Sequence, residues 1–403
     1  MRTRIVGLMF LLSVMSYFDR TILSIAAPGI MKEFALSETQ MGVVFSSFLL
    51  SYTILMIPGG RLADLFGPRL VFTLFALGSG AATAAFAFGG AFGAIIGIIP
   101  AFALLRLLFG VVTSPIYPTA GKMTANWMAP TERARTIGII NAGAGLGGAV
   151  SPILFAWMIG VYGWRMSFAL AGGVTMALGV VWHIIARDRP PDAPAAIDSS
   201  KAPVQWGRLF RNRRLMELAA GYFAIDYFEY IFFYWIYYYL GEVKKMGKNE
   251  SAAATTALFL VMMCMYPLGG WVADHLGRIH GKYAGRRAVG IGGVVLSNVC
   301  LFAGVNIDNV WLSVALIALA LGFVSASDVV YWAATIDVSG EDAGACGGIV
   351  NAVGNLGGFF APIVTPWIAA RFGWTWSLYF AGLLVLATVL VWIRREDHSA
   401  AGL

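Results

Sequence analysis

Apolar runs of about twenty residues recur from one end of the 403-residue chain to the other. A helix rising about 1.5 Å per residue crosses the roughly 30 Å hydrocarbon core of a bilayer in that length. Inside lipid every backbone N–H and C=O must find its partner within the protein, which leaves only helices and closed barrels as spanning structures. The runs are continuously apolar and lack the period-two alternation of barrel strands. They fall at about 5–30, 41–61, 69–90, 93–120, 134–160, 165–186, 215–240, 251–273, 286–306, 310–335, 343–369 and 374–393. The expectation is an all-α membrane protein with twelve transmembrane helices. Composition agrees. Only 12% of residues are charged and 59% are hydrophobic, against about 25% charged in a soluble domain. The 48 glycines suit helices whose backbones approach closely.

The net charge of +7 could suggest a nucleic-acid partner, but the charges lie in the short segments between apolar runs. That pattern reports membrane orientation, so no nucleic acid is expected. Of the 28 Lys and Arg, Arg20 and Arg106 lie inside runs, and Lys32, Arg165, Lys244, Lys245, Lys248 and Arg371 lie on one side. The other twenty lie on the opposite side. The positive side is the cytoplasmic one, so both termini are expected in the cytoplasm. The first run holds Asp19 and Arg20 with no small-residue cleavage site before them, so it reads as a retained helix rather than a signal peptide. Cys264, Cys300 and Cys346 all fall in apolar runs without metal-like spacing and read as small packing residues.

Residues 187–214 break the pattern. Arg187-Asp188-Arg189-Pro190-Pro191 opens a polar stretch that ends in the basic cluster Arg208 to Arg214. It reads as a cytoplasmic linker between six-helix bundles at 1–186 and 215–403, its basic end suited to the anionic inner leaflet. The halves repeat at a constant offset of 210 residues. Gly60-Arg61-Leu62-Ala63-Asp64 matches Gly270-Trp271-Val272-Ala273-Asp274, and Asn141-Ala142 matches Asn351-Ala352. Pro152, Trp157, Gly163, Trp164 and Ser167 match Pro362, Trp367, Gly373, Trp374 and Ser377, and Tyr17-Phe18-Asp19 matches Tyr227-Phe228-Glu229. A unit of six helices inserts the same way up in both copies, a parallel repeat about the membrane normal.

Gly60-x-x-x-Asp64-x-x-Gly67-Pro68-Arg69 and its copy Gly270-x-x-x-Asp274-x-x-Gly277-Arg278, which precedes a longer basic loop, resemble the signature of the major facilitator superfamily. The likeness extends over essentially the whole chain. It implies alternating access and assigns Asp64, Arg69, Asp274 and Arg278 to a cytoplasmic gate that does not touch substrate. Within the superfamily the chain is similar to the anion:cation symporter branch, which includes galactonate, hexuronate and phthalate permeases and sialin. Tyr17-Phe18-Asp19-Arg20, Ile57-Pro58-Gly59-Gly60, Leu105-Arg106, Gly110, Pro115-Ile116-Tyr117-Pro118, Trp127 with Pro130 and Glu132-Arg133-Ala134, and Tyr162-Gly163-Trp164-Arg165 carry that likeness. The resemblance implies a multi-pass protein of a bacterial inner membrane. Thr113 departs from it, standing where bacterial members carry the helix-4 glutamate used for proton coupling.

Charges inside a membrane cost about 2.5–3.5 kcal/mol each on insertion scales and mark function by default. Six stand out: Asp19 and Arg20 in helix 1, Arg106 in helix 4, Asp226 and Glu229 in helix 7, and Asp328 in helix 10. By the resemblance, these four helices line the central cavity. A guanidinium can clasp a carboxylate with two parallel hydrogen bonds, which makes Arg20 and Arg106 candidate anion binders. The alternative for Arg106 is an internal salt bridge with Asp19. Asp19 is a proton carrier or a fixed counter-ion. It cannot pair well with Arg20, which points about 100° away around the helix. Asp226 and Glu229, three apart, share one face and form a candidate proton site; Asp328 is a further acid or a packing residue.

Helix 7 carries aromatics on every face. Tyr227, Tyr230 and Tyr234 lie near the acids and are candidates for substrate hydroxyls, while Tyr237 to Tyr239 read as an interfacial belt. Asn141 and Asn351 head glycine-rich stretches of helices 5 and 11, for packing or cavity hydrogen bonds. His183, alone near a membrane end, reads as structural. No Walker loop, paired metal ligands or nucleophile elbow appears, so neither an enzyme nor a cofactor or metal is expected. The leading reading is a monomeric secondary active transporter of a small organic anion, a sugar acid or other carboxylate, by proton symport. Sodium is the other candidate coupling ion. A drug or organic-cation exporter of the same fold and a transporter-like solute receptor are the rivals.

Overall fold

The computed structural model of the chain describes residues 1–128, 130–190, 206–339 and 343–393, and their regular structure is helical throughout. The long helices are α1 Arg2–Phe34, α2 Glu38–Phe66, α3 Pro68–Ile96 and α4 Ile98–Trp127. Next come α5 and α6, the parts of Pro130–Ile185 on either side of Gly163. The second half holds α7 Arg213–Tyr238, α8 Lys248–His280, α9 Lys282–Asn306, α10 Val310–Ser339, α11 Ala343–Phe372 and α12 Trp374–Ile393. Ten described stretches are long and apolar enough to cross a membrane. One of them contains both α5 and α6, and α7 falls outside the ten because its tyrosines and acids lower its hydropathy, so the spanning helices number twelve. The fold is all-α and repeats its helices in two halves.

Glycines in positive φ set the sharp turns, which other residues would make only with strain. Gly67, Gly97, Gly163, Gly281 and Gly373 have φ of 79°, 91°, 75°, 94° and 89°. The break expected near 91–92 between helices 3 and 4 is at Gly97 instead. The surrounding run is apolar on every side, so periodicity gives no boundary there. The long basic loop expected after Gly277 is also absent: α8 runs to His280 and α9 starts at Lys282.

That second difference has a simple origin in the repeat. α2 and α8 start 210 residues apart, but α2 has 29 residues and α8 has 33. α3 then has 29 residues and α9 only 25. The turn has moved by four residues, about one helical turn, and the register is restored before Gly163 and Gly373. The repeat also holds in the packing. A methyl at Gly147 on α5 would run into the Val14 carbonyl oxygen of α1, and one at Gly357 on α11 would run into the Phe223 carbonyl of α7. The two glycines, 210 apart, each let a helix lie backbone to backbone on its neighbour.

Packing groups the chain into two compact units: 1–202 with 233–259 and 362–367, and 203–232 with 260–361 and 368–403. The first is centred on Leu12, Phe72, Phe75, Met123, Trp127 and Trp182. The linker expected at 187–214 falls largely in 191–205, outside the described residues, as do Lys201, Arg394 and Arg395. Its basic end is helical at Trp206–Arg211.

Two expectations about side chains are corrected. From Tyr234 to Leu240 only Tyr238 is not fully buried, so Tyr237 to Tyr239 are no lipid-facing belt. A helix apolar all round is one that is enclosed all round. Of the cysteines, Cys346 is buried and Cys300 half-buried, but Cys264 is exposed and fills no packing gap. We expect Gly147→Val and Gly357→Val each to lower stability by about 1–3 kcal/mol through overpacking, read as a fall in melting temperature in detergent, whereas Gly160→Val, which meets nothing, should leave it unchanged.

Candidate functional site

In the first unit, α1 and α4 bring two arginines together. Arg20 and Arg106 keep 6% and 2% of their surface, and Asp19 keeps 2%. The Arg106 guanidinium donates from Nη2 to the Arg20 carbonyl at 3.0 Å. The Asp19 carboxylate accepts from Thr175 Oγ1 on α6 at 2.8 Å. No ion pair joins Asp19 to Arg106 among the described residues, so the internal salt bridge considered for them is not formed. Thr113 is fully buried and its hydroxyl donates back to the Phe109 carbonyl at 2.7 Å, engaged with its own helix.

Aromatic rings surround the guanidinium groups. That of Arg20 lies over Tyr17, Phe48 and Tyr52 at 4.7, 4.8 and 4.8 Å from the ring centroids. That of Arg106 lies over Phe48, Phe109 and Phe86 at 5.5, 5.6 and 6.0 Å. Tyr234, from the end of α7 that belongs to this unit, interacts electrostatically with both arginines.

One face of α2 runs past this group. Its residues Glu38, Gly42, Phe45, Phe48 and Tyr52 follow helical spacing. Glu38 accepts from Tyr238 Oη at 2.6 Å, and Phe45 stacks on Tyr234 at 4.8 Å and meets Trp235 edge-on. Gly42 lies so near the Pro362 carbonyl that a methyl would collide with it. That carbonyl is available because Pro366, four residues on in α11, has no N–H to offer it. Trp235 Nε1 donates to it at 3.2 Å.

In the second unit, α7, α8 and α10 gather three buried acids. Glu229 accepts from Ser325 Oγ at 2.8 Å and from Tyr266 Oη at 3.1 Å. Asp328 interacts with Tyr222 and Tyr266, and Trp332 Nε1 donates to Tyr222 Oη at 2.9 Å. Asp226 lies against Gly354 of α11. None of the three acids is in an ion pair among the described residues. Tyr230 donates to Asn355 Oδ1 at 3.3 Å, and Asn355 donates to the Asn351 carbonyl at 2.9 Å. Tyr227 meets Phe380 edge-on, and Tyr234 lies with the arginines. Asn141 is exposed on α5.

Of the signature residues, Arg69 lies in the first turn of α3. Its guanidinium donates to the His183 carbonyl at 2.6 and 3.0 Å, at the C-terminal end of α6. Its backbone N–H donates to Asp188 at 2.8 Å, so the carboxylate at the start of α3 is Asp188. The side chain of Asp64 lies outside the described residues. Asp274 and Arg278 are exposed on α8. At the matching end of the second unit, Asp337 on α10 instead joins Lys282 and Arg286 of α9. His183 bonds Thr73 at 3.1 Å, a structural place.

Sequence reasoning missed Phe48, Tyr52, Thr175, Tyr266, Ser325 and Asn355. Only Phe48 and Tyr52 left a trace, as polarizable rings at helical spacing with Phe45.

Comparison with known proteins places this arrangement. The family model described as Major Facilitator Superfamily matches residues 9–284 and 281–403. The hexuronate transporter of Bacillus subtilis is 30% identical, over 95% of this chain and 92% of its own length. The D-galactonate transporter of Escherichia coli O6:H1 is 27% identical, over 96% and 93%. Among solved structures, a bacterial homologue of the human lysosomal transporter Spinster superposes with a TM-score of 0.80 at 16% identity, over 97% of this chain and 96% of that one.

The carboxyl cluster should be energetically shared. Ser325→Ala and Tyr266→Phe are each expected to cost about 1–3 kcal/mol by leaving a buried acid under-bonded. The double variant should cost less than their sum, as measured by melting in detergent at one pH.

Proposed function

We propose that this protein, which belongs to the Major Facilitator Superfamily, carries a small organic anion, a sugar acid or related carboxylate, across a bacterial inner membrane by alternating access. It is a transporter and not an enzyme. The observation that carries the anion reading is the pair Arg20 and Arg106, two buried guanidinium groups that membrane-spanning helices bring together under shared aromatic faces. A guanidinium keeps its charge when buried and offers parallel donors to a carboxylate. The hexuronate and D-galactonate transporters similar to this chain support a hydroxylated acid as substrate.

The coupling ion is a proton in this reading. The helix-4 acid of related carriers is Thr113 here, and its hydroxyl bonds its own backbone. The role passes to Glu229, assisted by Asp328 and Asp226, while Asp19 holds a second carboxyl beside the arginines. Carboxylates close together in a low-dielectric site take up protons rather than share charge. The bonds of Arg69 with Asp188 in the first unit, and of Lys282 and Arg286 with Asp337 in the second, belong in this reading to the positively charged, cytoplasmic face, with both termini on that side.

The three acids without an ion pair, set among tyrosines, favour one other reading: an exporter of lipophilic organic cations.

Reconstituted in proteoliposomes, the protein is expected to take up D-galactonate or a hexuronate, and Arg106→Ala to cut uptake at least tenfold. An acid-outside pH gradient should accelerate uptake. Glu229→Gln should abolish that acceleration while leaving D-galactonate exchange in place. Normal uptake by Arg106→Ala, or stabilisation of the purified protein by lipophilic cations and not by sugar acids, would overturn the anion reading.

A further inference from the structure

We propose that Phe48 is a positioning residue of the arginine site, a ring that holds the Arg20 and Arg106 guanidinium groups together without neutralising either. The inference rests on the reading of these arginines as the anion site. Among the described residues Phe48 is the one ring within cation–π distance of both, at 4.8 and 5.5 Å, and it is fully buried. A carboxylate in its place would orient the arginines by occupying their N–H groups and cancelling their charge. An aromatic face attracts the cation through its quadrupole, most strongly where water is excluded. It leaves the guanidinium edges to a substrate carboxylate.

The ring is fixed from behind. Tyr52 stacks against it at 5.3 Å and Phe109 closes its other side at 5.4 Å. α4 lies against its backbone because Gly110 has no side chain; a methyl there would meet the Phe48 carbonyl and Ser51 Oγ. Ser51 Oγ donates across to the Leu107 carbonyl of α4 at 2.8 Å. α2 thereby contributes to recognition by presenting a ring to the arginines.

Phe48→Leu keeps apolar volume and removes the ring. It is expected to raise the KM for D-galactonate at least fivefold with the maximal rate within twofold of wild type, and Phe48→Tyr to restore KM to within twofold. Phe155→Leu is the control, because Phe155 is an equally buried ring whose ring contacts among the described residues are with Phe18 and Phe168. A second readout does not depend on the substrate: the rate at which phenylglyoxal modifies each arginine, followed by peptide mass spectrometry. Phe48→Leu should raise it at least threefold at both Arg20 and Arg106. Tyr52→Leu, whose ring meets only Arg20 of the two, should raise it at Arg20 alone, and Phe155→Leu at neither. Unchanged labelling in Phe48→Leu overturns the proposal, as does an unchanged KM in a protein that carries D-galactonate. If wild type carries no D-galactonate, the anion reading fails for that substrate and the labelling pattern alone decides the role of Phe48.

Discussion

Burying two guanidinium groups in a membrane-spanning bundle is the constraint around which the first unit is arranged. Each charge is expensive in such a medium. A backbone carbonyl and a set of aromatic faces meet these two, with Phe48 common to both arginines. Asp19 sits beside them but bonds Thr175. The close approach of α2 and α4 at Gly110 keeps the Phe48 ring against α4, and cation–π attraction falls away once rings and charges drift apart.

The second unit solves the opposite problem with the same scaffold. Tyr17-Phe18-Asp19-Arg20 of α1 corresponds to Tyr227-Phe228-Glu229-Tyr230 of α7, so the position of a cation in one copy is a phenol in the other. Acids collect there instead, held by hydroxyls of Ser325, Tyr266 and Tyr222. Duplication supplied two equivalent frames, and divergence at a few inward positions gave one an excess of positive charge and the other an excess of carboxyl groups. The four-residue shift between α8 and α9 shows that even a signature turn can slide by one helical turn while the frame stays in register.

Much of this was legible in the residues alone. Long apolar runs force helices, a constant offset forces a repeat, and charges inside apolar runs draw the eye to Arg20, Arg106, Glu229 and Asp328. What escaped was of two kinds. The turn at Gly97 lies in a stretch apolar on every side, where periodicity carries no information. The partners of the charged residues, Thr175, Ser325 and Tyr266 among them, come from helices distant in sequence, and a lone hydroxyl residue in an apolar run looks the same whether it bonds its own helix, as Thr113 does, or a carboxyl across the bundle. The aromatic crowd of α7 misled for a related reason: rings that suit lipid also suit a helix enclosed by protein, and only packing tells them apart.

The carbonyl of Pro362 closes the account. In an ordinary helix that oxygen would accept the N–H four residues on. Here Pro366 has no N–H to give, and the Trp235 indole takes the place. The bond that ties α7 to α11 at this point is therefore made with an oxygen that the helix itself does not use, and it costs neither helix a backbone hydrogen bond.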